Sequence, residues 1–179
     1  MIAAPARRGD WMQTFTGRRF WPLDPHPDDI DIKDIAHALS MLARYGGHCL
    51  RFYSVAEHSV HIARHASPGA ALLALLHDAG EAYAADIVRP LKRQIPEYRA
   101  IETEIERAVA MRFGLDGRCA REVKALDNRI LMDERAQVMR PTADAWHFEG
   151  ESEPLGVTLG FWSPERAEAE FLALFEVLR

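Results

Sequence analysis

The sequence predicts an all-α protein with a short β-hairpin near its N-terminus. Three observations predict this class: apolar residues recur at helical spacing, serine and proline pairs mark helix starts, and extended patterns are confined to residues 11–25. The 179 residues suffice for one domain with a substantial core. We therefore expect a single domain over 1–179, with an N-terminal extended segment (1–28), a helical core (29–140), and a long loop and C-terminal helix (141–179).

The predicted hairpin lies at the start of the chain. The stretches 11–15 and 18–21 are rich in aromatic residues and flank Thr16-Gly17, a pair that favours a tight turn. No helix is expected before about Asp29, because proline recurs through the next segment. These prolines are Pro22, Pro25 and Pro27.

Two helices follow the proline-rich segment. Apolar residues recur at helical spacing from Ile30, and Gly46-Gly47 is expected to end the first helix. Ser54 and Glu57 form a capping box, a pattern in which both side chains satisfy free N–H groups at a helix start. The second helix therefore begins there and carries His58 in its first turn.

The later helices are marked in a similar way. Ser67-Pro68 is an N-cap followed by proline at the first helical position, so it opens the helix that carries His77 and Asp78. The remaining predicted elements are a helix from Pro96 to Gly114, an amphipathic helix over 119–140 that contains Asp127, a loop over 141–162 and a last helix from Ser163-Pro164.

Composition excludes several classes of function. The net charge is −5 and no basic block is present, which argues against binding to a nucleic-acid polymer. No apolar stretch reaches the roughly 20 residues of a membrane-spanning helix, and the N-terminus lacks a secretory core. The two cysteines, Cys49 and Cys119, are expected to be reduced, which favours a cytoplasmic protein without a membrane partner.

The most informative feature is the adjacent pair His77-Asp78 inside an apolar run. Polar groups in such surroundings need partners, and a metal ion is a common one. His58 upstream and Asp127 downstream supply a second imidazole and a second carboxylate. Such a set suits a first-row divalent cation, and the wide spacing predicts a site that the fold assembles.

The pattern His58 … His77-Asp78 … Asp127 resembles the HD-domain metal-dependent phosphohydrolases over roughly residues 30–140. Three local motifs carry this resemblance. Ser54–Ser59 is similar to the family's "EHS" helix start, His77–Glu81 is similar to its "HDxxE" motif, and Ala85–Lys92 is similar to the "GDxxxPxK" segment of its small nucleotidase branch. That branch includes bacterial 5′-nucleotidases acting on deoxyribonucleoside monophosphates and phage dATP triphosphohydrolases.

The resemblance implies an HD-domain helical bundle that acts as an enzyme. It implies one divalent metal ion (Co, Mn, Zn, Fe or Mg) held by His58, His77, Asp78 and Asp127. The expected reaction is hydrolysis of the 5′-phosphoester of a nucleotide or deoxynucleotide, either a monophosphate or a triphosphate such as dATP. The expected partners are a small nucleotide substrate and further copies of the chain.

Two acidic residues are the predicted catalytic groups. Glu81 follows His77 by four residues and Asp78 by three, so it shares their helix face. It is placed to take a proton from the attacking water or to orient that water. Asp86 shares that role or positions Glu81. The alternative for both is an ordinary surface carboxylate.

Phosphate binding requires cations near the ligand-bearing segments. The candidates are Arg44, Arg89 and Lys92. The resemblance favours Arg44, because related nucleotidases place a phosphate-binding arginine before the "EHS" helix. They follow it with a tryptophan that crowds the sugar 2′ position, whereas Tyr45 stands here, so a deoxy preference is not predicted. Phe20 and Trp21 are candidates for stacking on a base or walling it off.

Two other functional classes stay open. An HD fold can hold metal and nucleotide as a sensor without hydrolysis, although every predicted catalytic residue is retained. An enzyme for cyclic or alarmone nucleotides is a third hypothesis, but the chain lacks the additional helices expected there. His61 is expected to support the site or remain solvated, with a second ion as the alternative, and His37 is either a core histidine or a substrate contact.

Overall fold

The structure, a computed structural model, describes residues 7–144, 146 and 153–179. Within them the secondary structure is mainly α-helix, which confirms the predicted class. The helices are α1 (Ile32–Met41), α2 (Val55–His65), α3 (Ala71–Leu76), α4 (Glu81–Ala84), α5 (Arg89–Lys92), α6 (Pro96–Phe113), α7 (Ala120–Val138) and α8 (Pro164–Leu178). Short 3₁₀ helices lie at Pro27–Asp29, Arg44–Gly47 and Gly117–Cys119.

The predicted N-terminal hairpin is present, with short strands. β1 (Met12–Gln13) pairs antiparallel with β2 (Arg19–Phe20). Gly17 in the turn has a φ of +82°, a conformation that glycine adopts without a Cβ clash. The backbone N–H and hydroxyl of Thr16 donate to the two carboxylate oxygens of Asp34 at 2.6 and 3.0 Å. The hairpin is therefore fixed to α1.

Several helix boundaries follow the predicted caps. The Ser54 hydroxyl accepts the Glu57 backbone N–H at 3.1 Å at the start of α2. The Ser163 hydroxyl accepts the Arg166 N–H at 3.4 Å at the start of α8. Gly114 ends α6 in the left-handed conformation, with φ of +63°. These helix ends could be predicted from the sequence because each cap satisfies backbone groups that a helix end leaves free.

The first helix ends before the predicted stop at Gly46-Gly47. After α1 the chain enters an antiparallel bridge between Ala43 and Ser54. The Arg44 N–H donates to the Tyr53 carbonyl at 2.9 Å within this bridge. The bridge outweighs local helix propensity and places Arg44 beside the start of α2.

The pair His77-Asp78 lies just after α3, whereas the sequence predicted it inside a helix. Hydrogen bonds from Ala79 N–H to Leu76 O (3.1 Å) and from Glu81 N–H to Asp78 O (3.0 Å) span three residues. Such bonds tighten the chain relative to an α-helix. The helix is therefore interrupted between α3 and α4, at the residues that carry the predicted ligands.

The centre of the molecule is α2, in which nine of the eleven residues are buried. It contacts α1, α3, α7 and α8. Its position explains why His58 is fully buried despite lying in the first turn of its helix. The apolar core around it includes the buried side chains of Tyr53, Ile62 and Phe171.

The predicted loop over 141–162 is only partly described, and residues 145 and 147–152 of that prediction lie outside the described residues. Residues 153–162 carry no regular secondary structure. Backbone N–H groups of Leu155 and Gly156 donate to the Asp133 carboxylate, the former at 2.7 Å. In the part of the chain that the structure describes, no helix has the length and apolarity needed to cross a bilayer.

Candidate metal centre

Three of the four predicted ligands converge from separate parts of the fold. His58 comes from α2, His77 from the turn after α3, and Asp127 from α7. One potential ligand atom from each lies within 4.8 Å of the other two. His58 is fully buried and Asp127 is 8% exposed, so the cluster lies inside the protein.

The Nδ1 atom of each histidine ring already has a hydrogen-bond partner. His58 Nδ1 lies 2.5 Å from Glu134 Oε1, and His77 Nδ1 lies 2.8 Å from the Ala74 carbonyl oxygen. Bonds of this kind fix ring orientation and leave Nε2 as the ligand atom, as in histidines that bind metals. Both Nε2 atoms are buried, and neither has a hydrogen-bond partner among the described residues.

The partnerless nitrogens face carboxylate oxygens at metal-site spacing. His58 Nε2 lies 3.5 Å from Asp127 Oδ1 and 3.6 Å from Asp78 Oδ2, and His77 Nε2 lies 3.2 Å from that Asp78 oxygen. Two ligand atoms at ordinary bonding distance from one ion are roughly 3.0–3.5 Å apart. Nitrogen and oxygen donors without better partners at this spacing fit a divalent first-row cation.

Asp78 lies beside the tight group of three. Its Oδ2 is near both histidines, and Arg44 NH1 lies 3.7 Å from the same oxygen. Burial alone would raise the pKa of Asp78, but His77 and His58 outweigh burial and lower it well below its usual value. Its role as a fourth ligand stays a prediction.

The carboxylates and histidines of the cluster shift one another's pKa values. Burial would lower the pKa of His77, but Asp78 and Asp127 outweigh burial and raise it to about 9. The pKa of Asp127 is lowered, because the histidines counteract the effect of its burial. The same carboxylates would attract a divalent cation, which binds the neutral form of His77.

The fully buried carboxylate of Glu134 contacts both His58 and Arg44. Its Oε1 accepts from the Tyr53 hydroxyl at 2.9 Å and lies against His58 Nδ1. Its Oε2 accepts from Arg44 NH2 at 3.0 Å and from the Tyr45 hydroxyl. Burial opposes ionisation, but Arg44 and His58 lower the pKa of Glu134 to about 2. This carboxylate therefore orients a metal ligand with one oxygen and an arginine with the other.

Sequence reasoning missed Glu134, although a signal was present. Glu134 follows Asp127 by seven residues, which places both carboxylates on one face of a helix. A second acidic residue on the face that carries a predicted ligand is a candidate partner for a ligating histidine.

The predicted catalytic residue Glu81 is 8% exposed, so the alternative of a surface carboxylate is wrong for it. Its Oε2 is buried without a hydrogen-bond partner in the described structure. Burial raises the pKa of Glu81 well above its usual value, and the negative charges of Asp78 and Asp86 raise it further. Asp86 is half-buried, and burial likewise raises its pKa.

The backbone before Asp86 is strained. Ala85 has φ of +67° and ψ of +159°, a region that is almost restricted to glycine. The Tyr98 hydroxyl donates to the Ala85 carbonyl at 2.7 Å and helps to hold this turn. The "GDxxxPxK" motif that this segment resembles has glycine at this position.

The predicted phosphate-binding cations all border the acidic centre. Arg44 is buried between Glu134 and Asp78, and its Nε has no partner within the described residues. Arg89 pairs with Asp127 at 3.8 Å, and Lys92 pairs with Glu102. Lys124, which was not predicted from the sequence, pairs with Asp127 at 2.6 Å. Lys124 precedes Asp127 by three residues, a spacing at which helical side chains meet.

The predicted aromatic contacts are not all available to a substrate. Phe20 is fully buried and stacks on Tyr83 with ring centres 4.0 Å apart, so it has no exposed face for stacking on a base. Successive side chains of a strand point to opposite faces, and on β2 the Phe20 side chain points into the core while Arg19 is exposed. Trp21 lies against the guanidinium groups of Arg7 and Arg19, and its role stays a prediction. Tyr45 directs its hydroxyl to Glu134, so that group is already engaged.

The two ambiguous histidines have partners outside the centre. His61 is buried, with Nε2 3.4 Å from Glu57 Oε1. His37 stacks on Phe15 with ring centres 3.7 Å apart, and its Nδ1 lies 3.0 Å from Glu168 Oε2.

The fold and the converging donors define a helical protein with a candidate metal centre. The chain is 38% identical over 136 residues to the uncharacterized protein YfdR of Escherichia coli (strain K12), which covers 76% of each chain. It is 35% identical to the uncharacterized protein RCAP_rcc00048 of Rhodobacter capsulatus, over 94% of this chain and 95% of that one. No family model matches the sequence. The chain belongs to the same protein family as YfdR and the Rhodobacter protein.

Proposed function

We propose that this protein is a metal-dependent phosphohydrolase of the HD-domain type. Its reaction would cleave the ester between a nucleoside 5′-oxygen and the α-phosphate. That bond is the same in a 5′-nucleotidase acting on monophosphates and in a triphosphohydrolase acting on a deoxynucleoside triphosphate such as dATP. The observation that carries the proposal is the pair of buried, partnerless Nε2 atoms of His58 and His77, which face carboxylate oxygens.

His58, His77 and Asp127 would hold the ion, with Asp78 as the fourth ligand. A divalent cation held there supplies positive charge against a phosphoryl oxygen, which stabilises the charge that develops in phosphoryl transfer. Glu134 keeps the His58 ring in the orientation that presents Nε2.

Glu81 would act as the general base, assisted by Asp86. A raised pKa suits a group that takes a proton from water and returns it during one reaction cycle. Water supplies the oxygen that bonds to phosphorus, the bond from phosphorus to the 5′-oxygen breaks, and that oxygen takes up a proton. Water is the sole co-reactant.

Arg44 would bind a phosphate oxygen, because its Nε is buried and partnerless while its other nitrogens are already paired. Arg89 and Lys92 border the same centre and would bind further phosphate oxygens. We also propose action on small nucleotides in the cytoplasm as a homo-oligomer, supported by the resemblance and, for the compartment, by the two free cysteines.

The test is a panel of nucleoside mono-, di- and triphosphates crossed with Mn²⁺, Co²⁺ and Mg²⁺. We expect turnover by the unmodified chain and its loss in Asp127→Asn, which keeps the shape of the side chain but removes a charge. Asp28→Asn is the matched control, because the Asp28 side chain is 82% exposed. Absence of turnover by the unmodified chain, or full activity of Asp127→Asn, would contradict the proposal. Nucleotide binding without any product would favour the sensor hypothesis.

A further inference from the structure

A cavity of about 500 Å³ adjoins the metal centre, between α3, α6 and α7. His77, Asp78, Glu106 and Asp127 line it together with Lys92 and Lys124. A cavity of this volume has the size of a small-molecule binding site, and sites between packed helices are common. The residues beside the metal centre make one part of its wall polar and charged.

The rest of the wall is mainly aliphatic. These lining residues are Leu73, Leu76, Val109, Ala110, Leu115, Ala120 and Val123. Ala120 and Val123 precede Asp127 by seven and four residues on α7, so they lie one to two helical turns, or roughly 6–10 Å, from it. The cavity therefore changes from charged to aliphatic along the helix that carries a metal ligand.

The aliphatic side chains offer no polar contact, whereas Glu106, one turn before Val109 and Ala110 on α6, lies beside Gly80 near the charged end. Among the described lining residues, none has a hydroxyl, an amide, or a phenyl, phenol or indole ring. A polar group placed among these aliphatic side chains, out of reach of Glu106, would lose its water and find no hydrogen bond, which is costly. An apolar group would gain free energy in proportion to the surface that it buries.

We propose that this cavity binds the apolar organic part of a phosphate or phosphonate anion, whose charged end lies at the metal centre near Lys92 and Lys124. The inference rests on the metal centre of the proposed function but not on hydrolysis. It names a ligand class, small alkyl phosphates and phosphonates, that is chemically distinct from a nucleoside with its polar base and sugar.

The test is calorimetric binding of linear alkylphosphonates, from methyl to butyl, to the protein loaded with Mn²⁺. Each added methylene is expected to tighten binding about fourfold. 3-Hydroxypropylphosphonate, which has nearly the shape of butylphosphonate, is expected to bind at least about tenfold more weakly than it, because its hydroxyl is left unpaired. A series in which butylphosphonate stays within about twofold of methylphosphonate would overturn the inference.

A filling variant locates the binding site. Ala110→Leu is expected to remove the gain from longer chains while methylphosphonate binds as before. Val177→Leu is the matched control, because Val177 is 78% exposed on α8, and it should leave the whole series unchanged. An intact chain-length gain in Ala110→Leu would overturn the assignment to this cavity. If the series behaves as expected but no nucleotide is hydrolysed, the proposed reaction fails and this inference stands.

Discussion

Glu57 and His58 are neighbours on α2, yet they belong to two regions that differ in how completely the chain satisfies its buried polar groups. In the first region, the Glu57 carboxylate accepts the backbone N–H groups of Gly160, Phe161 and Trp162 at 2.6–3.0 Å. In the second region, His58 presents Nε2 to a cluster in which that atom has no hydrogen-bond partner. The buried carboxylate of the first region is paired within the chain, whereas the second region leaves a buried nitrogen unpaired among the described residues.

The difference separates a structural anchor from a functional site. Buried polar groups in proteins are nearly always paired, so each unpaired group needs a reason. Six buried side-chain atoms lack a partner in the described parts of the chain, and four of them lie in or beside the candidate metal centre. These four are Arg44 Nε, His58 Nε2, His77 Nε2 and Glu81 Oε2. Their concentration at one place is what a missing ligand would explain.

The largest expected effect is on catalysis. Glu81→Gln should lower kcat by about 10²–10⁴-fold, because it removes the proposed base. Metal affinity, measured by calorimetry, should not change. Glu104→Gln is the control, since that carboxylate is exposed on α6. Loss of the metal in Glu81→Gln would make Glu81 a ligand and would enlarge the centre.

The next effect is on stability. Glu57→Ala leaves three backbone donors without their acceptor, so the free energy of unfolding in urea should fall by about 3 kcal/mol. The folded fraction should bind Mn²⁺ with unchanged affinity, because Glu57 supports the segment 153–162 rather than the ligands. A parallel loss of metal affinity would show that Glu57 also supports the metal ligands, so that the two regions are not independent.

Glu134 gives a smaller effect on metal binding. Glu134→Gln should weaken Mn²⁺ binding by about 10–100-fold, because the ring of His58 loses its charged partner. The control is Glu122→Gln on the same helix, whose carboxylate binds Ser67 away from the centre. Equal metal affinity in the Glu134 variant and the unmodified chain would reduce Glu134 to a structural anchor like Glu57.

The smallest effect concerns the strained turn. Ala85→Gly should raise the free energy of unfolding by about 1 kcal/mol, because relief of a strain of about 1–3 kcal/mol exceeds the entropic cost of glycine. Ala66→Gly is the control, since Ala66 has an ordinary φ of −78° and should be destabilised by the same change. Destabilisation in both variants would show that Ala85 is not strained.

His77 and Asp78 could be singled out as candidate ligands for a physical reason that does not depend on the fold. His77 and Asp78 are polar in an apolar run, and this conflict is visible without coordinates. The starts of α2 and α8 were predictable in the same local way, because a serine cap acts on residues two or three positions away.

The partners of Glu57 could not be predicted, because they follow it by more than 100 residues. The capping box predicted that its carboxylate would return to the start of α2, but the packed C-terminal segment offers three donors instead. The interruption at His77 also depends on tertiary structure. A Cβ at Gly80 would come within 3.3 Å of Glu106 on α6, so the chain passes close to that helix there.

The most direct test of the central claim is a crystal of the protein soaked in Mn²⁺ and measured by anomalous diffraction. We expect one peak within bonding distance of His58 Nε2, His77 Nε2 and an oxygen of Asp127, and no such peak in Asp127→Asn. A peak at another place, or none at this cluster in the unmodified protein, would contradict it.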